Sequence, residues 1–290
     1  MKLIMTYTNE DYHINTERFI DIENVIRNKN PKLLKLLPRF ILKYLKKIIH
    51  EERLNKLIYR NRDKIGTDFT DAMLNEFQII IKTQGLENIP KTGKYIIASN
   101  HPLGGLDGMA LMSTVGKVRK DIKFPVNDLL MHIPNLRPLF IPLNKLGKNT
   151  KYIEQIEQTF ASDNMILYFP AGLCSRKQNG KILDLEWKPT FIKKAIQYKR
   201  DILPVYIDGK NSNFFYNLSN WRKKTGIRQN IEMIYLVDEM YKQKNKIINI
   251  IFGEPISYKI FDKKFNNLQW AEIIKKRVYG LAAKQELPLQ

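Results

Sequence analysis

The segment Ser99-Asn100-His101-Pro102-Leu103-Gly104-Gly105-Leu106-Asp107-Gly108 puts one of four histidines directly after the apolar run Tyr95-Ile96-Ile97-Ala98 and an aspartate shortly beyond it. A strand that ends in a glycine-rich turn holds a side chain at the rim of a pocket. A histidine oriented by a carboxylate is the usual composition of a general base working near neutral pH. The pair His101 and Asp107 therefore points to an enzyme. A second strand-then-turn block, Met165-Ile166-Leu167-Tyr168-Phe169-Pro170-Ala171-Gly172-Leu173-Cys174-Ser175-Arg176, ends in a planar guanidinium able to hold phosphate or carboxylate. Cys174 and Ser175 are nucleophiles on paper, but neither has a recognisable neighbouring base in the sequence.

The elements that must carry these residues follow from the hydrophobic pattern. Short apolar runs predict strands at Phe77–Lys82, Tyr95–Ser99, Ile122–Val126, Leu139–Leu143, Met165–Phe169, Ile202–Ile207 and Ile247–Phe252. Helical patterns fall between them near 107–117, 150–161 and 188–199, and after the last strand at 268–284. This alternation predicts an α/β fold: a mixed, largely parallel sheet flanked by helices, preceded by an N-terminal helical segment. Residues 17–63 read as helical with breaks at Pro31 and Pro38. The boundary is expected at 76, giving an N-terminal segment 1–76 and a catalytic domain 77–290. The stretch from Leu33 to Ile49 mixes bulky apolar residues with a one-sided basic set. It fits either an interfacial helix with snorkelling lysines or a packing helix with a solvated face.

Composition narrows the partners. The formal net charge is +20, which favours anionic partners such as nucleic acid, an anionic bilayer or phosphorylated substrates. A single cysteine excludes an intramolecular disulfide. The N-terminus has no secretory pattern and no charge-free window is long enough to span a bilayer, so a soluble or membrane-surface cytoplasmic placement is expected.

Four blocks, in order over residues 77–257, resemble the glycerolipid and lysophospholipid acyltransferase superfamily, and more closely its hemolysin-like bacterial branch associated with amino-acid-containing lipids. The first is Asn100-His101-Pro102…Asp107. Five residues separate His101 from Asp107, one more than the common pattern, and Gly104 and Gly105 are expected to absorb the extra residue in a tight turn. The second is Phe169-Pro170-Ala171-Gly172, with Ala171 where a glutamate is common and Arg176 beyond it. The third is Phe140-Ile141-Pro142-Leu143-Asn144-Lys145, whose lysine stands where an arginine usually approaches substrate phosphate. The fourth is Leu203-Pro204-Val205-Tyr206-Ile207, followed by Asp208-Gly209-Lys210-Asn211-Ser212; Asp184 and Trp187 are expected to frame the pocket.

The resemblance implies acyl transfer from acyl-CoA or acyl carrier protein to the hydroxyl of a lyso-lipid, a lysophospholipid or lyso-aminolipid, by a peripheral enzyme on the cytoplasmic side of the inner membrane. His101 would be the base and Asp107 its orienting partner. Asn100 or backbone N–H groups of the turn would serve the developing oxyanion. Gly104, Gly105, Lys145, Phe169, Pro170, Gly172, Arg176 and Pro204 would line the substrate site. No cofactor and no covalent acyl-enzyme are required.

Two other readings stay open at this stage. A basic nucleic-acid-binding protein is compatible with the charge and the 14 Phe, 14 Tyr and 3 Trp, although no zinc-finger, RNA-binding or helix-turn-helix pattern is present. A metal-dependent hydrolase would need His101, Asp107, Asp128 and His132 to converge, without the spacing of a known ligand set. His132 itself is expected to pack or to line a pocket.

Overall fold

The computed structural model describes residues 19–127, 130–143 and 150–283. Its centre is a seven-stranded sheet of order β1-β9-β8-β2-β5-β3-β4. The strands are β1 (Ile80–Gln84), β2 (Tyr95–Ser99), β3 (Ile122–Asn127), β4 (Phe140–Leu143), β5 (Met165–Tyr168), β8 (Asp201–Ile207) and β9 (Ile247–Phe252); β6 (Arg176–Gln178) and β7 (Lys181–Leu183) form a separate hairpin. Every neighbouring pair in the sheet is parallel except β8 with β9, as expected for a mixed, largely parallel sheet. β2 is central and wholly buried after Tyr95, which is why it reads as a continuous apolar run.

Helices cover both faces. They are α1 (Ile22–Lys29), α2 (Pro31–Leu36), α3 (Arg39–Ile48), α4 (Glu51–Arg60), α5 (Thr67–Glu76), α6 (Gly105–Gly116), α7 (Thr150–Ala161), α8 (Thr190–Tyr198), α9 (Asn213–Lys224), α10 (Leu236–Tyr241) and α11 (Asn267–Ala282). Alternation along the strands sorts the core into two sides. Ile97, Leu203, Val205 and Ile207 pack with α5 and α6, whereas Ile96, Ala98 and Ile202 pack with α8 and α11. Leu54, Leu57 and Ile58 of α4 and Phe69, Met73 and Leu74 of α5 belong to the first of these clusters.

The two expected breaks in the N-terminal helices are where the prolines place them. Pro31 is the first residue of α2 and Pro38 precedes α3, positions where the missing N–H costs nothing. β1 begins three residues later than the pattern suggests, because Phe77 ends α5 and Gln78 turns in the left-handed region. α5, α9, α10 and the β6–β7 hairpin were not foreseen from the pattern.

Two arginines close the edge of the sheet opposite the site. Arg200 is fully buried and donates to the carbonyls of Phe160, Thr159, Ser162 and Asn164. Arg119 pairs with Asp121 and donates to the carbonyls of Gly93 and Asp163. Each satisfies several carbonyls that would otherwise lie unpartnered at loop ends.

Candidate active site

β2 delivers His101 to the carboxyl end of the sheet, the edge where open α/β sheets build their sites. The turn after it is held by its own backbone. Gly104 adopts φ +77 and ψ −132 as the residue capping α6, a conformation that glycine alone reaches without strain. A Cβ there would also crowd Cys174 Sγ at 3.3 Å and Leu236 at 3.2 Å. Asp107 is the third residue of α6, and its Oδ2 accepts the N–H groups of Leu103 at 2.7 Å and Gly104 at 3.0 Å. The same oxygen accepts His101 Nδ1–H at 3.0 Å. The extra residue in the motif is therefore absorbed at Gly104, and the contact between His101 and Asp107 forms.

Asp107 is completely buried and its Oδ1 has no hydrogen-bond partner. Burial pushes its carboxyl pKa up, against the His101 and Leu103 donors that pull it down. Burial would lower the His101 pKa. The Cys174 sulfur against the ring and the Asp107 carboxylate outweigh it and hold the imidazole above its ordinary 6.5, at about 10. With Nδ1 committed to Asp107, Nε2 is the nitrogen left to exchange a proton with substrate. The ring stacks on Phe169 with centroids 4.1 Å apart and planes 15° from parallel, and its side chain keeps 16 % exposure. It is held at Nδ1 and on one face, and reaches solvent.

The backbone of His101 is held just as firmly. Its N–H donates to Asp184 Oδ1 and its carbonyl accepts from Ser175 N–H at 2.8 Å. The buried Asp184 also accepts from Ser175 Oγ at 2.6 Å and from Trp187 Nε1 at 2.8 Å. Asp184 and Trp187 thus frame the site from behind, tying the β6–β7 hairpin to the histidine turn.

Several residues expected at the substrate site have other work. Asn100 gives both ends of its amide to the backbone of Ile207, Nδ2 donating at 2.8 Å and Oδ1 accepting at 2.7 Å. It clamps β2 to β8, which turns its buried amide toward the neighbouring strand. Arg176 is buried and its fork is occupied: it donates to Glu232 at 2.8 Å and to the carbonyls of Cys174 and Ser175. Arg222 completes a buried pair of guanidiniums around Glu232, whose carboxyl they hold below its ordinary range against burial. Arg176 fixes the second block and is not a free substrate fork.

Pro204 shares the α11 side of β8 with Ile202 and lies with Leu281 against Gly253, so it walls the opposite core. It sits at a β-bulge. Val205 pairs with Phe252 and Ile202 with Ile256, which leaves one extra residue across from Leu203 and Pro204. A bulge in a central strand is where a missing N–H is tolerated.

Of the remaining candidates, Phe169 touches the imidazole, Pro170 is buried behind it, and Gly172 is exposed in a turn closed by its N–H to the Phe169 carbonyl at 3.0 Å. Gly105 is exposed with open space in front of it. Lys145 and Asp128 lie outside the described residues. His132 is exposed rather than packed. Among the described residues no group of three His, Cys, Asp or Glu is placed to hold a metal ion.

Three groups in the site were not foreseen. Cys174, expected to lack a neighbouring base, lies against His101 and is fully buried. Asn211 donates to the Pro102 carbonyl at 3.1 Å and so steadies the histidine turn from the start of α9. Glu232 anchors Arg176 from a 3-10 turn at Ile231–Tyr235. Ser212 was the available signal for α9: it is a good N-cap residue ahead of an aromatic run, and its Oγ accepts from Phe215 N–H.

A histidine held against a buried carboxylate at the carboxyl edge of an α/β sheet is an arrangement that transferases and hydrolases share, and comparison gives the family. The chain belongs to the acyltransferase family, whose sequence model matches residues 24–287. It is 48% identical over 264 residues to a lyso-glycine lipid O-acyltransferase of Bacteroides thetaiotaomicron, covering 90% of this chain and 97% of that protein. A protein of the same name from Phocaeicola vulgatus is 46% identical over 264 residues, 90% of this chain and 95% of its own. Among solved structures, the 1-acyl-sn-glycerophosphate acyltransferase PlsC of Thermotoga maritima aligns over 92% of this chain and 94% of its own at 17% identity, with a TM-score of 0.45.

Proposed function

We propose that this enzyme moves a fatty acyl group from acyl-CoA or acyl carrier protein to the hydroxyl of a lyso-lipid, and that the acceptor is a lyso-glycine lipid. The observation that carries the reading is the 3.0 Å contact of His101 Nδ1 with the buried Asp107, just beyond the end of β2. The acceptor follows the names of two relatives near half identity that match over almost their whole length. Ala171 agrees with an acceptor other than a glycerol phosphate: its side chain packs in the core beside Trp187 and offers no carboxylate.

In this mechanism Nε2 takes the proton of the acceptor hydroxyl as that oxygen attacks the thioester carbonyl; the C–S bond breaks as the tetrahedral intermediate collapses, and the proton passes to the departing thiolate. Asp107 stabilises the imidazolium that forms in between. Leu103 and Gly104 N–H groups already serve Asp107. The first-turn N–H of Gly105 and the positive end of α6 are therefore the groups offered to the oxyanion. A base held above 6.5 is strong but mostly protonated at neutral pH, so the neutral fraction limits the rate.

Among the described residues no helix is long and apolar enough to cross a membrane. The charge of +20 supports peripheral attachment to an anionic membrane surface, on the cytoplasmic side of the inner membrane where acyl-CoA and acyl carrier protein are found, with the N-terminal segment 1–76 as the attaching part.

The test is the purified protein with each donor, offered lyso-glycine lipid, lysophosphatidate and lysophosphatidylethanolamine, with diacyl products read by mass spectrometry. Acylation of the lyso-glycine lipid, with His101→Ala slower by about 10² or more, is the expected result. Absence of transfer to any lyso-lipid, or normal turnover in His101→Ala, overturns the reading.

A further inference from the structure

Resting on that reading, we infer that the chain docks on an anionic bilayer through a composite face, in which α9 and the 3-10 turn Ile231–Tyr235 insert beside α2 and α3. The sequence offered only the N-terminal half of this face. On that half Leu36 and Phe40 keep 79 % and 73 % of their surface exposed, and Tyr44 lies one turn beyond Phe40. Solvated side chains of this size, clustered on consecutive turns, mark an interaction surface.

The second half comes from a distant part of the chain. Phe214 and Trp221 lie two turns apart on one side of α9 and are about half exposed, and Ile234 stands out from the 3-10 turn. A pair of contacts joins the halves into one strip. Tyr44 Oη meets Tyr235 Oη at 2.9 Å, and the Tyr235 ring meets Phe214 edge-on at 4.9 Å. Amphipathic aromatic side chains of this kind favour the headgroup region of a bilayer.

Charge identifies the occupant. Lys35, Arg39, Lys43 and Lys47 are exposed on α2 and α3, and Lys223 and Lys224 at the end of α9. Apolar and aromatic groups edged by lysines complement an anionic lipid surface, where stems lie along the interface and ammonium groups reach phosphates.

Position relates the face to the chemistry. α9 begins directly after Asn211, which holds the Pro102 carbonyl, and Leu236, next to Tyr235, abuts Gly104. A bilayer seated on α9 would therefore lie beside the turn that carries His101, and a lyso-lipid could present its hydroxyl without leaving the interface.

The wild-type protein carries its own probe. Of its three tryptophans, Trp187 and Trp270 are buried at 1 % and 3 % exposure, and Trp221 is 53 % exposed. Added to phosphatidylcholine vesicles containing phosphatidylglycerol, the protein should show a blue-shifted emission that brominated lipids quench, with neither change on pure phosphatidylcholine. The double variant Phe214→Ser, Trp221→Ser, checked by circular dichroism for an unchanged fold, should partition to anionic vesicles at least about tenfold more weakly. The double variant Phe214→Leu, Trp221→Phe should retain binding.

Co-sedimentation with vesicles without a change in Trp221 emission overturns the inference, as does undiminished binding by the serine variant. A blue shift that grows with protein concentration in the absence of lipid would assign the face to a second copy of the chain and also overturn it. Acyl transfer in detergent micelles separates the two readings. Transfer without vesicle binding sinks this face and spares the function; vesicle insertion without transfer to any lyso-lipid does the reverse.

Discussion

Replacing Asp107 by Asn removes one charge from the centre of the site and almost no atoms. The hydrogen bonds dictate how the new amide sits. Leu103 and Gly104 N–H groups and His101 Nδ1–H all converge on Oδ2, so an asparagine must turn its oxygen toward them. Its NH₂ then occupies the place of Oδ1, which has no partner even in the native protein. The imidazole therefore keeps its tautomer and loses only the carboxylate that stabilises its protonated form. At a charge separation of about 4 Å and an effective dielectric near 20, that interaction is worth about 4 kcal/mol. The expected fall in kcat is about 10³ on the alkaline plateau, where the resting His101 is neutral and the charge forms only during the reaction. Stability should change much less, because the buried charge is relieved of its desolvation cost as it loses three charge-assisted bonds. Steady-state turnover of lyso-lipid by mass spectrometry and a urea melt check both halves. A variant within about threefold of wild-type activity, or one whose lost activity tracks a collapse in stability, would refute the assignment of Asp107 as the partner of a working base.

Activity should rise with pH along a limb whose midpoint lies above the ordinary imidazole value of 6.5, because only neutral His101 accepts the proton. Cys174→Ala should move that limb to lower pH, and a pH–rate profile that is flat between 6 and 9, or unmoved by this change, contradicts the idea. The same raised pKa gives the charged ring a stabilising contribution that is complete below 6.5 and is lost as pH climbs toward about 10, visible in thermal melts. Gly104→Ala, at φ +77 and against Cys174, should cost about 1–3 kcal/mol and lower turnover; an unaffected melt would show that the turn is not under this constraint. Glu232→Ala strands two buried guanidiniums and should cost about 3–5 kcal/mol in urea denaturation, a loss that Arg176→Met in the same protein should partly recover.

What the sequence discloses here depends on how local the determining interaction is. β2, its turn and α6 are legible because the apolar run, the glycines and Asp107 lie within about a dozen residues and each acts on its neighbours. The spacing difference looked like an obstacle, yet Gly104 resolves it within the turn itself. Arg176 is the opposite case. Its partner Glu232 is 56 residues away on a 3-10 turn with no periodic signal, so an isolated guanidinium beside a strand end read as a substrate fork. Asn100 misleads in the same way, since its amide is claimed by the backbone of Ile207 and a backbone carries no residue-type clue. Pro204 was assigned to the site, whereas the two-residue alternation of β8 turns it away from the face of Leu203 and Val205. The segment 213–241 shows no clear stripe because buried and exposed aromatics adjoin: Phe215 and Tyr216 face inward while Phe214 and Trp221 of the same helix stay at the surface.

Among the described residues every buried Lys or Arg is an arginine, while other arginines, Arg39 among them, are exposed. Arg119, Arg176, Arg200 and Arg222 are buried, each gripping carbonyls or a carboxylate, and among the described residues no lysine is buried. Buried guanidinium therefore acts as mortar, while ammonium groups supply most of the coat of positive charge. A lysine-selective acylating reagent would strip that coat and leave the framework standing, and reductive methylation, which keeps the charge, would leave both.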